Sequence, residues 1–106
     1  MRHIQTFIEW IIVRFIYGHP HLKNKKVNVQ YDYRQNSRYY AKCISWKEHN
    51  GYHHVLKFKI PNMLFLTGED TENTVLHECI HMLSPAAHHG KRFQNLCKKH
   101  NVPYFK

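Results

Sequence analysis

Apolar residues near the start of the chain recur at helical spacing. Ile4, Phe7, Ile8, Ile11 and Phe15 share one face, while Gln5, Glu9 and Arg14 fall elsewhere on the wheel. This spacing predicts a helix over 3–17, ended by Gly18 and Pro20. Trp10, Ile12 and Val13 widen the stripe, which predicts a core helix covered on more than one side. A membrane-surface helix is the alternative reading of the same stripe.

The period then changes from helical to alternating. Residues 20–26 read as a basic loop. Val27, Val29, Tyr31 and Tyr33 fall on one face of a strand. A turn at 34–37 separates it from a β-prone run at 38–46, and Asn50-Gly51 is a strong hairpin signal. In 52–60, Leu56, Phe58 and Ile60 face one way and Val55, Lys57 and Lys59 the other. Lysines on an outward face protect a sheet edge, which is the expected role of Lys57 and Lys59. Pro61 ends the strand. Residues 67–73 are rich in capping types, with Asp70 or Thr71 as the expected N-cap of a helix that Ser84-Pro85 stops after Leu83. A last helix is expected over 91–101, with Phe93, Leu96, Cys97 and His100 on one face and Lys98 and Lys99 near its end. The order predicts an α+β fold: an N-terminal helix, a three- to four-stranded mainly antiparallel sheet connected as a meander, then two helices.

A chain of 106 residues supports one modest core, so a single domain spanning 1–106 is expected. With 42% hydrophobic and 22% charged residues, wholesale disorder is excluded. Sixteen Lys and Arg against seven Asp and Glu give a net charge of +9. That balance favours polyanions, nucleic acid first and anionic membrane second. Cys43, Cys79 and Cys97 are odd in number and form no CxxC, which excludes a disulfide framework and a zinc ribbon. Free thiols suit a reducing compartment. The apolar stretch 4–17 is too short to span a bilayer, carries Glu9 and Arg14, and lacks a small-residue cleavage site. A cytoplasmic, monomeric protein without a membrane partner is therefore expected.

One motif carries chemistry. His77-Glu78-Cys79-Ile80-His81 reads HExxH and falls in the middle of the expected helix. Positions i and i+4 lie one above the other, so both imidazoles reach a single zinc ion (Zn2+). Glu78 lies beside them, where it takes a proton from the zinc-bound water, whose pKa the metal lowers to about 7. Leu76, Ile80 and Leu83 give the helix a buried stripe beside the His face. A third ligand is expected from His88 or His89, which follow a helix-breaking Pro; the residues alone leave both open. Cys79 points away from the His face and reads as a small buried residue. His53-His54 and His19-Pro20-His21 read as surface histidines, Phe93 as a core anchor, and His100 as a core residue or a support to the ligands. An oxyanion partner among Tyr52, Tyr104, His88 and Arg92 stays unassigned.

The stretch HECIHMLSPAAHHGKRF resembles the SprT-like zinc metallopeptidases, which include the Spartan proteases acting on DNA–protein crosslinks. That family pairs HExxH with a downstream H-G-x-x-F, here His89-Gly90-Lys91-Arg92-Phe93. The resemblance implies that His77, His81 and His89 hold zinc, that Glu78 is the catalytic base, and that the helix-then-sheet order is the family's core. The gap from His81 to His89 is short and similar to compact Wss-type, gluzincin-like relatives. The zinc ribbon of some SprT proteins is absent here. The expected function is a minimal zinc metallopeptidase acting on a protein or peptide substrate, with DNA as a non-specific partner. An extended peptide is expected to add along the strand around 52–60. The rival is a zinc-stabilised module that binds nucleic acid or protein without turnover.

Overall fold

A computed structural model describes residues 2–22, 26–34, 39–49, 51–83 and 90–102. Helix α1 (Arg2–Tyr17) follows the predicted stripe. Ile8, Ile11, Ile12 and Phe15 are buried, each contributing about 1.5–3 kcal/mol through apolar area removed from water. Trp10, Val13 and Tyr17 are exposed. The helix is thus covered on one side rather than on several, and the wider stripe did not imply wider burial. Gly18 ends α1 by donating its N–H to the Arg14 carbonyl at 3.1 Å. His19 adds a ring cap, with Nδ1 2.8 Å from the Phe15 carbonyl.

Three strands follow: β1 (Lys26–Asp32), β2 (Ala41–Glu48) and β3 (Gly51–Lys59). The hairpin between β2 and β3 forms as expected, antiparallel, with Gly51 opposite Glu48 at φ 119°. The meander does not form. β1 pairs in parallel with β3, from Lys26 opposite His53 to Asp32 opposite Lys59, so the order is β1-β3-β2 and the sheet is mixed. β3 is therefore the central strand, and the edges belong to β1 and β2. This overturns two expectations. Lys57 and Lys59 guard no edge, and no peptide can add along 52–60.

Lys59 shows why the parallel pairing holds. Its side chain is fully buried, with Nζ 3.4 Å from Asp32 Oδ2 across the β1–β3 pair. Asp32 also accepts from the Arg34 backbone N–H at 2.9 Å, from Arg34 Nε at 3.2 Å and from the Tyr39 hydroxyl at 3.1 Å. A buried charge persists only when paired and hydrogen-bonded, and this carboxylate satisfies both conditions.

A short helix α2 (Ile60–Met63) turns the chain off β3, with Pro61 in its first turn. Helix α3 (Gly68–Leu83) and helix α4 (Lys91–Lys99) complete the described fold. α4 ends with Asn101 at φ 57°, and Val102 donates its N–H to the Cys97 carbonyl at 2.8 Å, a left-handed cap. Leu56 and Phe58 of the sheet share one core with buried residues of α1 to α4. The helices thus line one face of the sheet, and the α+β fold class stands. Among the described residues, no helix is long and apolar enough to cross a membrane.

Hydrogen bonds from Arg34, joined by the one from Tyr39, hold the Asp32 carboxyl well below the usual carboxylate range. A depressed folded-state value stabilises the fold above the unfolded value of about 3.9, and that contribution fades as pH falls below it. Asp32→Asn should therefore melt lower than wild type near neutral pH. Thermal unfolding measured down to about pH 2.5 should show the gap closing. A gap that stays constant with pH would mean that the charge contributes nothing.

Candidate metal centre

Helix α3 is aimed by its own N-terminus. Thr67, one residue before it, accepts the Asp70 N–H on its hydroxyl at 3.0 Å, and the Thr71 hydroxyl donates to the Thr67 carbonyl at 2.8 Å. The cap is thus Thr67 and not Asp70 or Thr71. Glu69 and Asp70 then occupy the first turn, where the helix dipole favours carboxylates.

Two turns on, the i and i+4 spacing brings His77 and His81 together. Their ring centroids lie 5.1 Å apart at an interplanar angle of 76°. Both rings also meet Phe93 of α4. Its centroid is 5.0 Å from His77, edge-on, and 4.2 Å from His81, stacked at 23°. Phe93 is fully buried, as expected of a core anchor, and through these contacts it restricts the orientation of both imidazoles.

Glu78 directly follows His77 on the same helix. It is buried, and burial pushes its carboxyl up to about 7. A cation held by the neighbouring histidines would act in the opposite sense, favouring the carboxylate. Cys43 of β2 is close enough for Glu78 to act on it electrostatically. From Cys43 a line of polar groups runs along the helix-facing side of the sheet. Cys43 Sγ is 3.6 Å from Ser45 Oγ, which shares a 2.7 Å hydrogen bond with His54 Nδ1. His54 is 1% exposed and stacks on Tyr52 at 6.2 Å. It is not a surface histidine. It is in phase with Leu56 and Phe58, and that alternation was the sequence signal for its burial.

His53 is also buried, on the opposite face, with Nε2 2.9 Å from Glu48 Oε2 and its ring stacked on Trp46. His100 is half-buried and meets Phe15 and His19, with ring centroids at 5.9 and 5.1 Å. Cys79 is fully buried, and burial raises its thiol as it raises that of Cys43, the latter to about 11. Both remain protonated thiols near neutral pH, so neither is an activated nucleophile. Of the oxyanion candidates, Tyr52 packs on His54 and Arg92 is exposed in the first turn of α4.

The expected third ligand, His89, lies outside the described residues, as do His88 and Tyr104. Among the described residues, no group of three His, Cys, Asp or Glu side chains is placed to hold a metal. The structure therefore brings together His77 and His81, with Glu78 adjacent. In comparisons with known proteins, no family model matches the chain and no curated protein matches it.

Phe93 joins α3 to α4, so its loss should be felt in both. Phe93→Ala should lower the unfolding free energy by about 3–5 kcal/mol, read from urea denaturation. A cost below about 1 kcal/mol would mean that the ring is not the anchor described.

Proposed function

We propose that this chain is a minimal zinc metallopeptidase of the SprT-like kind. The observation that carries the reading is the pairing of His77 and His81 on one face of α3 with the buried Glu78 beside them. Two imidazoles sharing one tetrahedral zinc, with bonds of about 2.0–2.1 Å, hold their ring centroids roughly 5 Å apart. The 5.1 Å found here fits that requirement. His89 is the proposed third ligand, on the resemblance of His89-Gly90-Lys91-Arg92-Phe93 to the family's motif. When bound, zinc supplies Lewis acidity for the scissile carbonyl and lowers the pKa of the attacking water.

The chain's own residues supply the rest. Glu78 accepts the proton of the attacking water and returns it to the departing amine. Its buried place between α3 and β2 keeps bulk water from competing for that proton. An extended peptide adds to β2, the edge strand that α3 packs against, rather than to the central β3. The net charge of +9 supports substrates held near DNA. Three free cysteines support a reducing, cytoplasmic setting.

The same charge favours a second reading, in which the metal is a staple and the domain binds nucleic acid or protein without turnover. Glu78→Gln separates the two. Gln keeps the shape but accepts no proton, so cleavage of an unfolded or DNA-bound protein should fall by about 10²–10⁴-fold while zinc content and melting temperature hold. Wild type and variant cleaving alike would defeat the proposed mechanism. No cleavage by wild type, with DNA present or absent, would favour the staple.

The third ligand is read from metal content. His89→Ala should lose zinc and His88→Ala should keep it, by elemental analysis of the purified proteins. The reverse pattern would move the ligand to His88.

A further inference from the structure

The sheet has a second face, and the described helices leave it uncovered. From the register, its rows are His53 with Trp46, then Asn28, Val55 and Ile44, then Gln30, Lys57 and Lys42. Ile44 is 49% exposed and Trp46 40%, both large apolar side chains in solvent at the centre and end of an edge strand. Lys42 is exposed, with its Nζ 4.1 Å above the Tyr39 ring, and Lys57 is half-buried beside it.

Charge is divided between the two layers of the molecule. Five of the seven carboxylates, Glu9, Glu69, Asp70, Glu72 and Glu78, sit on α1 and α3. The two on the open face are already matched. Asp32 is held by Lys59 and Arg34. Glu48 accepts from Trp46 Nε1 at 2.7 Å and faces His53 at 2.9 Å. Neither Lys42 nor Lys57 is drawn into an ion pair among the described residues.

We infer that this open sheet face binds single-stranded nucleic acid, with the backbone phosphates on Lys42 and Lys57 and bases stacked on Trp46 and against Ile44. Lys42 and Trp46 are four residues apart on β2, about 13 Å, which gives room for a few nucleotides. A base stacks on an aromatic face only when it is free of a duplex partner, so a platform of this kind selects single strands. The Glu48 bond fixes the plane of the indole, so the stacking surface is set before the ligand arrives. A protein partner would find the lysines costly to bury, whereas phosphates neutralise them. This inference deepens the DNA partnership proposed above but does not rest on peptidase activity, because the face lies across the sheet from His77, Glu78 and His81.

The test uses a labelled oligothymidylate of about 12 nucleotides and the whole chain. Trp10 and Trp46 are the two tryptophans, so Trp10→Phe leaves Trp46 as the sole reporter. Its fluorescence should be quenched on titration with the oligomer. Lys42→Gln with Lys57→Gln should flatten the slope of log affinity against log salt by about 1.4, the share of two phosphate contacts. Lys98→Gln with Lys99→Gln on α4 removes equal charge from the other layer and should change that slope far less. Trp46→Ala should bind about 5- to 150-fold more weakly. Unquenched Trp46, or equal losses from the α4 pair and the sheet pair, would overturn the assignment in favour of diffuse charge. Self-association through this face with no oligomer bound would also overturn it. Quenching read in Trp10→Phe leaves the face intact, so it decides even if a face variant fails to fold. Absent proteolysis with quenching present would defeat the peptidase reading and leave this one standing.

Discussion

The contact of Phe93 with two imidazoles is the constraint on which the candidate site depends. An imidazole on a helix surface has several rotamers, and two of them must agree before one ion can bridge the pair. A buried aromatic ring against both removes most of those choices. The dependence runs both ways. α4 has nine residues, too few to persist as a helix in water by itself. It is held by Phe93 and Cys97 in the core and by Val102 tucked under its end. The site orders α4 as much as α4 orders the site.

The sheet separates two kinds of chemistry by parity. Side chains of one phase, Cys43, Ser45 and His54, form a polar line leading toward Glu78. Those of the other phase, Lys42, Ile44 and Trp46, meet solvent. Placing β3 in the centre makes this possible, because β2 then has an edge unpaired among the described residues, a face toward α3 and a face toward water. Lys59 and Asp32 fasten that arrangement from the far side. Their pairing ties β1 to β3 where no short turn could, since parallel neighbours share no hairpin.

What could be read from the chain follows from how far each signal reaches. α1, α3 and α4 declare themselves through spacings of three and four residues, and the HExxH pair through the same geometry. The β2–β3 hairpin is local too, marked by Asn50-Gly51. The partner of β1 is not local. Alternation tells which side chains share a face but not which strand lies alongside, so the adjacent β2 was the natural choice and the wrong one. Lys59 misled for a related reason. A lysine out of phase with the core reads as solvated, and only Asp32, 27 residues earlier, reveals that it is enclosed. His54 was misread despite a usable signal, because its doubled neighbour His53 suggested an exposed pair. The candidate site was legible in part: His77 and His81 lie on one helix, where spacing pairs them, while His88 and His89 fall outside any periodic segment and outside the described residues.

The hairpin's tightness has a consequence for how this domain can vary. Glu48 faces Gly51, so two residues make the whole connection. Inserting or deleting one residue within β2 would slide every later or earlier side chain to the opposite face. Cys43 and Ser45 would then trade places with Lys42, Ile44 and Trp46, putting a tryptophan against α3 and the Cys43 thiol in water. Length changes are therefore barred from this ribbon. Variation in chain length among descendants of such a sequence would fall outside it, in the connections between the other elements.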